Sequence, residues 1–228
     1  MAKILVLNIN TNAIETFFLN EGDPMPYNIG GTLRVREFRG TSRSPTLWTN
    51  TGTMEAWNTT RRLYGSGIPV GAAFKRPWEG GHTEQSQHYA GVSFDVGQAS
   101  RGWNNTQRAN LRRIAINSGV WRFVEPVSLT PTWVHFDRRQ LPSACSAGYP
   151  VLRVGSRSTY VLVLQDGLNT LGFRTGGLTG TFGPLTNEAV LGFQRSRGLV
   201  ADGVVGCRTW RTLQGAVVGK GRTSTTID

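Results

Sequence analysis

The sequence predicts an α+β protein in which a small antiparallel sheet with flanking helices is followed by a separate C-terminal three-helix bundle. Three observations carry this expectation. Over residues 1–139, short strand-like runs are mixed with helical patterns and brief loops, an order that suits α+β better than a doubly wound sheet. The composition then changes at QLPSACSAGYP, residues 140–150, which reads as a linker. Beyond it only helical periodicity recurs. The expected organisation is therefore a first domain over 1–139, a linker over 140–150, a second domain over 151–216 and a frayed tail over 217–228.

The elements follow in order. KILVLNI, residues 2–8, reads as a buried strand, and TLRVREF, residues 32–38, alternates apolar and basic residues as a second strand would. Residues 9–52 otherwise carry no functional signal. Residues 53–64 read as a helix with Met54, Trp57 and Arg61 on one face, stopped by Gly65 and Gly67. IPVGAAF, residues 68–74, reads as a strand that delivers Lys75 and Arg76 before Pro77 breaks it. In GVSFDVG, residues 91–97, Val92, Phe94 and Val96 share one face and Ser93 and Asp95 the other. A basic helix over 104–118, with Leu111 and Ile114 inward, ends at Gly119. Residues 120–125 and 132–137 read as strands flanking a Pro-bounded loop. The C-terminal helices are expected near 158–171, 185–197 and 206–214, with Val161, Leu164, Leu168, Leu171, Leu185, Ala189, Val190, Phe193, Trp210 and Leu213 inward. A weak echo links VLQDGLNTLG around Gln165 with VLGFQRSRGL around Gln194, each a helix interior closed by a glycine.

The net charge of +11 implies a polyanionic partner: nucleic acid, an anionic membrane surface or an anionic cell wall. No aromatic–basic alternation or zinc finger supports nucleic acid. No apolar run approaches the length of a membrane span, so no membrane insertion is expected. The N-terminal apolar run turns polar too soon for a signal peptide. Cys145 and Cys207 are the only cysteines; a bridge between them and two unrelated thiols are both open.

The chemistry concentrates in SQHYAGVSFD, residues 86–95, and TWVHFD, residues 132–137. His88, Asp95 and His135 make a candidate zinc set, with one coordination position left for water. Gly91 allows a close backbone approach between His88 and Asp95. Hydrogen-bonded histidines and a turn-capping Asp95 explain the same spacing, and His82 stands as an alternative fourth ligand. Trp78, Trp103, Trp121 and Trp133 cluster around these segments, with core packing favoured over a sugar or peptide groove.

SQHYAGVSFD resembles the first metal-binding signature of the zinc D-Ala-D-Ala carboxypeptidase and dipeptidase family, the M15 peptidases of LAS-type fold. TWVHFD is similar to that family's second metal-binding segment. GIPVGAAFKR looks like the strand that ends in an arginine gripping the substrate carboxylate, which maps to Arg76. VLVLQDGLNTLGF and GTFGPLTNEAVLGFQRSRGLVADGVVGCRTW resemble a three-helix peptidoglycan-binding module over about 150–214.

These resemblances imply a peptidoglycan peptidase, a D,D-carboxypeptidase or endopeptidase cutting a bond next to a D-amino acid. One Zn²⁺ per chain is implied on His88, Asp95 and His135, activating water and polarising the carbonyl. Arg76, helped by Lys75, is expected to bind the substrate carboxylate, Ser86 to bind near the substrate or stabilise a turn, and Asp137 to hold a free histidine nitrogen. Family members often carry an acid three residues before the second histidine, where this chain has Thr132. Glu125 is the expected general base, with Asp137, Glu79 and Glu84 as alternatives. The expected partner is peptidoglycan and the expected state a monomer. The expected location is the cell wall, reached from the cytoplasm by a separate lysis or export route as with phage endolysins. The other reading is a non-catalytic wall-binding protein that keeps a degenerate zinc-peptidase fold.

Overall fold

The structure is a computed structural model that describes residues 1–145, 148–218 and 220. The chain forms two compact units, one built from Met1–Phe74 and Gly91–Arg139, the other from Lys75–Ala90 and Gln140–Asp228.

The first unit holds two sheets. In the smaller one, β1 (Ala2–Asn8) lies between β2 (Ala13–Leu19), antiparallel to it, and β3 (Thr46–Asn50), parallel to it. The sequence reading missed β2 and β3. AIETFFL, the sequence of β2, has no fully buried residue, so it lacks the apolar alternation that announces a half-buried strand. The expected strand over 32–38 is in its second half a short helix, α1 (Val35–Arg39). Val35 and Phe38 are both fully buried, three residues apart, and the Glu37 carboxylate accepts from Arg34 N at 2.7 Å in the first turn.

α2 (Thr51–Tyr64) starts where the Asn50 side chain accepts from Thr53 N and ends at Gly65 in the left-handed region. The second sheet runs β4 (Val70–Ala72), β5 (Ser93–Val96), β7 (Val134–Asp137), β6 (Phe123–Val124), all antiparallel. α3 (Asn105–Ser118) precedes β6 and is capped by Asn104 and Gln107 in reciprocal hydrogen bonds of 2.9 Å.

The core of this unit is aromatic. Phe94 stacks on Trp57 at 4.7 Å, Trp121 lies 4.3 Å from Phe136, and Trp48 meets Phe74 edge-on at 5.0 Å. The inward face of β5 is Phe94 and Val96, as the alternation predicts, which turns Asp95 to the opposite face. Trp121 is buried in this core, and Trp78, which belongs to the other unit, is buried as well.

The second unit holds α4 (Thr159–Thr170), α5 (Pro184–Ser196) and α6 (Cys207–Val217), close to the three helices the periodicity predicts. Val161, Leu164, Leu168, Val190, Phe193, Trp210 and Leu213 are buried as expected. Leu185 is 56% exposed instead, because Thr186 takes the inward position in the first turn of α5 and accepts from Gln165 Nε2 at 3.0 Å.

The sequence echo is structural. Gln165 Oε1 accepts from Thr179 N and Gly180 N, and its amide nitrogen faces Thr181 O and Thr186 Oγ1. Gln194 repeats the pattern one helix later: Oε1 accepts from Gly203 N, and the amide nitrogen faces Val204 O and Thr209 Oγ1. Each buried glutamine thus satisfies the backbone of the following loop and ties it to the next helix.

Cys145 and Cys207 form a disulfide that closes 62 residues of sequence, which settles the open question of their pairing. Within 140–150, Tyr149 is fully buried and Pro150 O accepts from Trp210 Nε1 at 2.7 Å. The expected tail over 217–228 lies mostly outside the described residues. No helix among the described residues is long and apolar enough to cross a membrane.

Candidate metal centre

Strand register builds the site. β5 pairs with β7 so that Asp95 lies directly opposite His135, and their side chains meet with His135 Nδ1 2.7 Å from Asp95 Oδ1. The other ring nitrogen, Nε2, lies 3.2 Å from Asp137 Oδ2. Asp137 is fully buried, and Arg139 donates to both of its oxygens, from Nε at 2.8 Å and from Nη2 at 2.5 Å. Burial opposes a charge on His135, but the hydrogen bonds to Asp137 and Asp95 and their negative charges outweigh it and push the imidazole up to about 9. Burial likewise pushes the Asp137 carboxyl up, and the bonds to Arg139 and His135 outweigh it to hold the group below its usual range.

His88 completes the cluster. One ligand atom each from His88, Asp95 and His135 lies within 4.8 Å of the others. Two imidazoles and a carboxylate are the donor types that a borderline-soft divalent cation accepts, with room for one further ligand. Both cysteines are committed to the disulfide, so no thiolate is among the donors. Gly91, between His88 and Asp95 in sequence, has φ +66°, and a Cβ there would sit 1.9 Å from Trp48 O. His82 is outside the cluster, and its ring stacks on that of His88 with centroids 4.4 Å apart.

Glu125 stands just past β6. Phe123 pairs with Asp137 and Val124 with Phe136, and the bond from Glu125 N to His135 O, 2.9 Å, continues the register. The backbone of Glu125 is therefore opposite that of His135. Asp95 and His135 face each other on paired strands, and Glu125 follows β6 with its backbone bonded to that of His135.

The loop between β6 and β7 is held by Arg112 of α3. Its guanidinium donates to Glu125 O, Thr130 O and Trp133 O, each at 3.0 Å. Burial lowers the Arg112 pKa, yet the three carbonyls hold the ion in place. The sequence reading missed this residue. Its signal was an arginine one position from Leu111 and three from Ala115, on the apolar face of the helix.

The remaining predicted residues are placed as follows. The Ser86 hydroxyl accepts from His88 N at 3.3 Å, as a turn-stabilising serine does. Arg76 is fully buried, with Nε 2.9 Å from Asp166 Oδ2 and Nη2 2.5 Å from Asp166 Oδ1. Lys75 beside it is half-buried. Glu79 accepts from Arg76 N at 2.9 Å, and Glu84 is exposed. Thr132 is exposed, and its carbonyl accepts from Ala99 N.

Residues 157–213 match a family described as a putative peptidoglycan binding domain. A stretch of 72 residues is 40% identical to N-acetylmuramoyl-L-alanine amidase CwlM of Mycobacterium tuberculosis, covering 27% of this chain and 18% of that protein. A solved peptidoglycan-binding protein from Clostridioides difficile, in complex with glutamine hydroxamate, is 35% identical; the match covers 31% of this chain and 44% of that one, with a TM-score of 0.30. The matched stretch thus spans less than half the length of either relative.

Proposed function

We propose that the protein is a zinc-dependent peptidase that cuts a D-amino-acid-containing peptide bond in the stem or cross-bridge of peptidoglycan. Residues 151–216 serve as its wall-binding domain. The observation that carries this reading is the cluster of His88, Asp95 and His135, whose ligand atoms lie within 4.8 Å of one another, with Glu125 N bonded to His135 O. The family match of residues 157–213 supplies the substrate surface, and the charge of +11 suits an anionic wall.

In this reading His88, Asp95 and His135 hold one Zn²⁺ per chain. When bound, Zn²⁺ supplies a Lewis acid that polarises a carbonyl and makes water more acidic. Glu125 takes the proton of the attacking water on its carboxylate and returns it to the leaving amine. Asp137, fixed by Arg139, orients the His135 ring through Nε2. Arg112 keeps Glu125 in place through the backbone. Lys75 is the half-exposed cation of its segment and receives the substrate carboxylate. Arg76, committed to Asp166, acts on substrate only through the segment it anchors. Tethering by the wall-binding domain raises the local concentration of scissile bonds. In this reading the protein works at the cell wall as a lysis enzyme of endolysin type.

The exposed Thr132 at the position of the expected acid favours a second reading, a non-catalytic wall-binding protein with a degenerate metal site. Purified wall incubated with the zinc-loaded chain separates the two. New amino and carboxyl termini that disappear with chelator and with His135→Ala support the peptidase. Zinc binding without new termini supports the wall-binding protein.

A further inference from the structure

The segment that carries His88 does not stand alone. Lys75–Ala90 belongs to the compact unit formed with Gln140–Asp228. At one end of the segment, Arg76 makes a two-pronged ion pair with Asp166 of α4, ninety positions away in sequence, and both side chains are almost wholly excluded from solvent. At the other end, the Tyr149 hydroxyl donates to Ser86 O at 2.7 Å and the Tyr160 hydroxyl donates to Gln87 Oε1 at 2.6 Å. These two residues immediately precede His88. The Ser86 hydroxyl in turn accepts from His88 N, and Lys75 N donates to His88 O at 3.3 Å. The phenols are rigid: Tyr149 and Tyr160 meet edge-to-face at 5.0 Å, and Tyr149 meets Trp210 of α6 at 5.0 Å.

A buried ion pair is a poor source of net stability, because desolvation offsets most of the attraction, yet it fixes one geometry strictly. The phenol bonds do the same for Ser86 through its backbone and for Gln87 through its side chain. Both devices end on the chain around a single histidine.

We propose that Tyr149, Tyr160 and Asp166 are positioning residues for the metal ligand His88. The proposal rests on the metal reading of His88, Asp95 and His135. Its elements are independent of the residues that would touch substrate.

The test uses the full chain and Co²⁺ alone as the probe, read by its visible absorption and by chelator competition. Tyr160→Phe and Tyr149→Phe each remove one hydroxyl and keep the ring, and Asp166→Asn removes the charge that faces Arg76. Gln194→Ala serves as the control, since it loosens the link between α5 and α6 without touching Lys75–Ala90. The expected result is a Co²⁺ affinity about 10–100-fold weaker in the tyrosine variants, as for partners that orient a metal ligand, with an altered absorption band. Gln194→Ala should bind Co²⁺ as the parent does while melting at lower temperature. Asp166→Asn should weaken Co²⁺ further if it folds, and the tyrosine variants decide the matter if it does not. Unchanged Co²⁺ affinity in both tyrosine variants overturns the proposal, as does an equal loss in Gln194→Ala. A parent chain that shows no Co²⁺ band overturns the metal reading itself, and is distinguished from the former by that parent measurement.

Discussion

The two units use buried polar side chains in opposite ways. In the helical unit, Gln165 and Gln194 are closed systems: each side chain spends its donors and acceptors on one loop and the first turn of the next helix. Nothing is left over for chemistry. In the sheet unit, Asp95, His135 and Asp137 share a line of side chains in which carboxylates face both nitrogens of one imidazole. That arrangement concentrates charge and is a place where a cation can replace a proton. The contrast separates polar groups that specify a fold from polar groups that could hold a metal ion.

Breaking the candidate metal cluster should have the largest effect. His135→Ala removes a ligand and leaves two, so zinc binding and wall hydrolysis should both vanish, measured by metal content after dialysis and by release of new termini. Glu125→Gln keeps the shape and the backbone bond to His135 but removes the proton acceptor. Hydrolysis should fall about 10²–10⁴-fold with zinc content unchanged. An activity loss accompanied by zinc loss would place Glu125 among the ligands instead.

Breaking the fold-specifying groups should cost stability and leave metal binding alone. Replacing both Cys145 and Cys207 by serine removes a cross-link over 62 residues and should lower stability by about 2–5 kcal/mol in urea melts. Gln165→Ala leaves Thr179 N and Gly180 N without their acceptor and should cost about 2–4 kcal/mol by the same assay.

The same contrast explains what could be read from sequence. The helices were legible because a 3.6-residue apolar period is local, and the stops at Gly65 and Gly119 are written into the chain. The Gln165 and Gln194 echo was visible for the same reason. In the sheet unit, β5 announced itself by alternation, and so did the face of Asp95. Its partner did not. That Asp95 sits opposite His135, and Glu125 opposite His135 on the other side, follows from pairing among strands of two to four residues, which no local pattern encodes. The helix at Val35–Arg39 was read as a strand because Leu33 and Val35 fit either period, and only Phe38 breaks the tie. The Arg76–Asp166 pair was out of reach for a different reason: a charge pair ninety positions apart leaves no trace in either neighbourhood.

The most direct test of the proposed peptidase is mass spectrometry of the soluble fragments from purified peptidoglycan digested by the zinc-loaded protein and by the same protein after chelation. The expected result is fragments with new termini at a bond flanked by a D-amino acid, absent after chelation and restored by zinc. A protein that holds zinc stoichiometrically, binds the wall and releases no such fragment would contradict it.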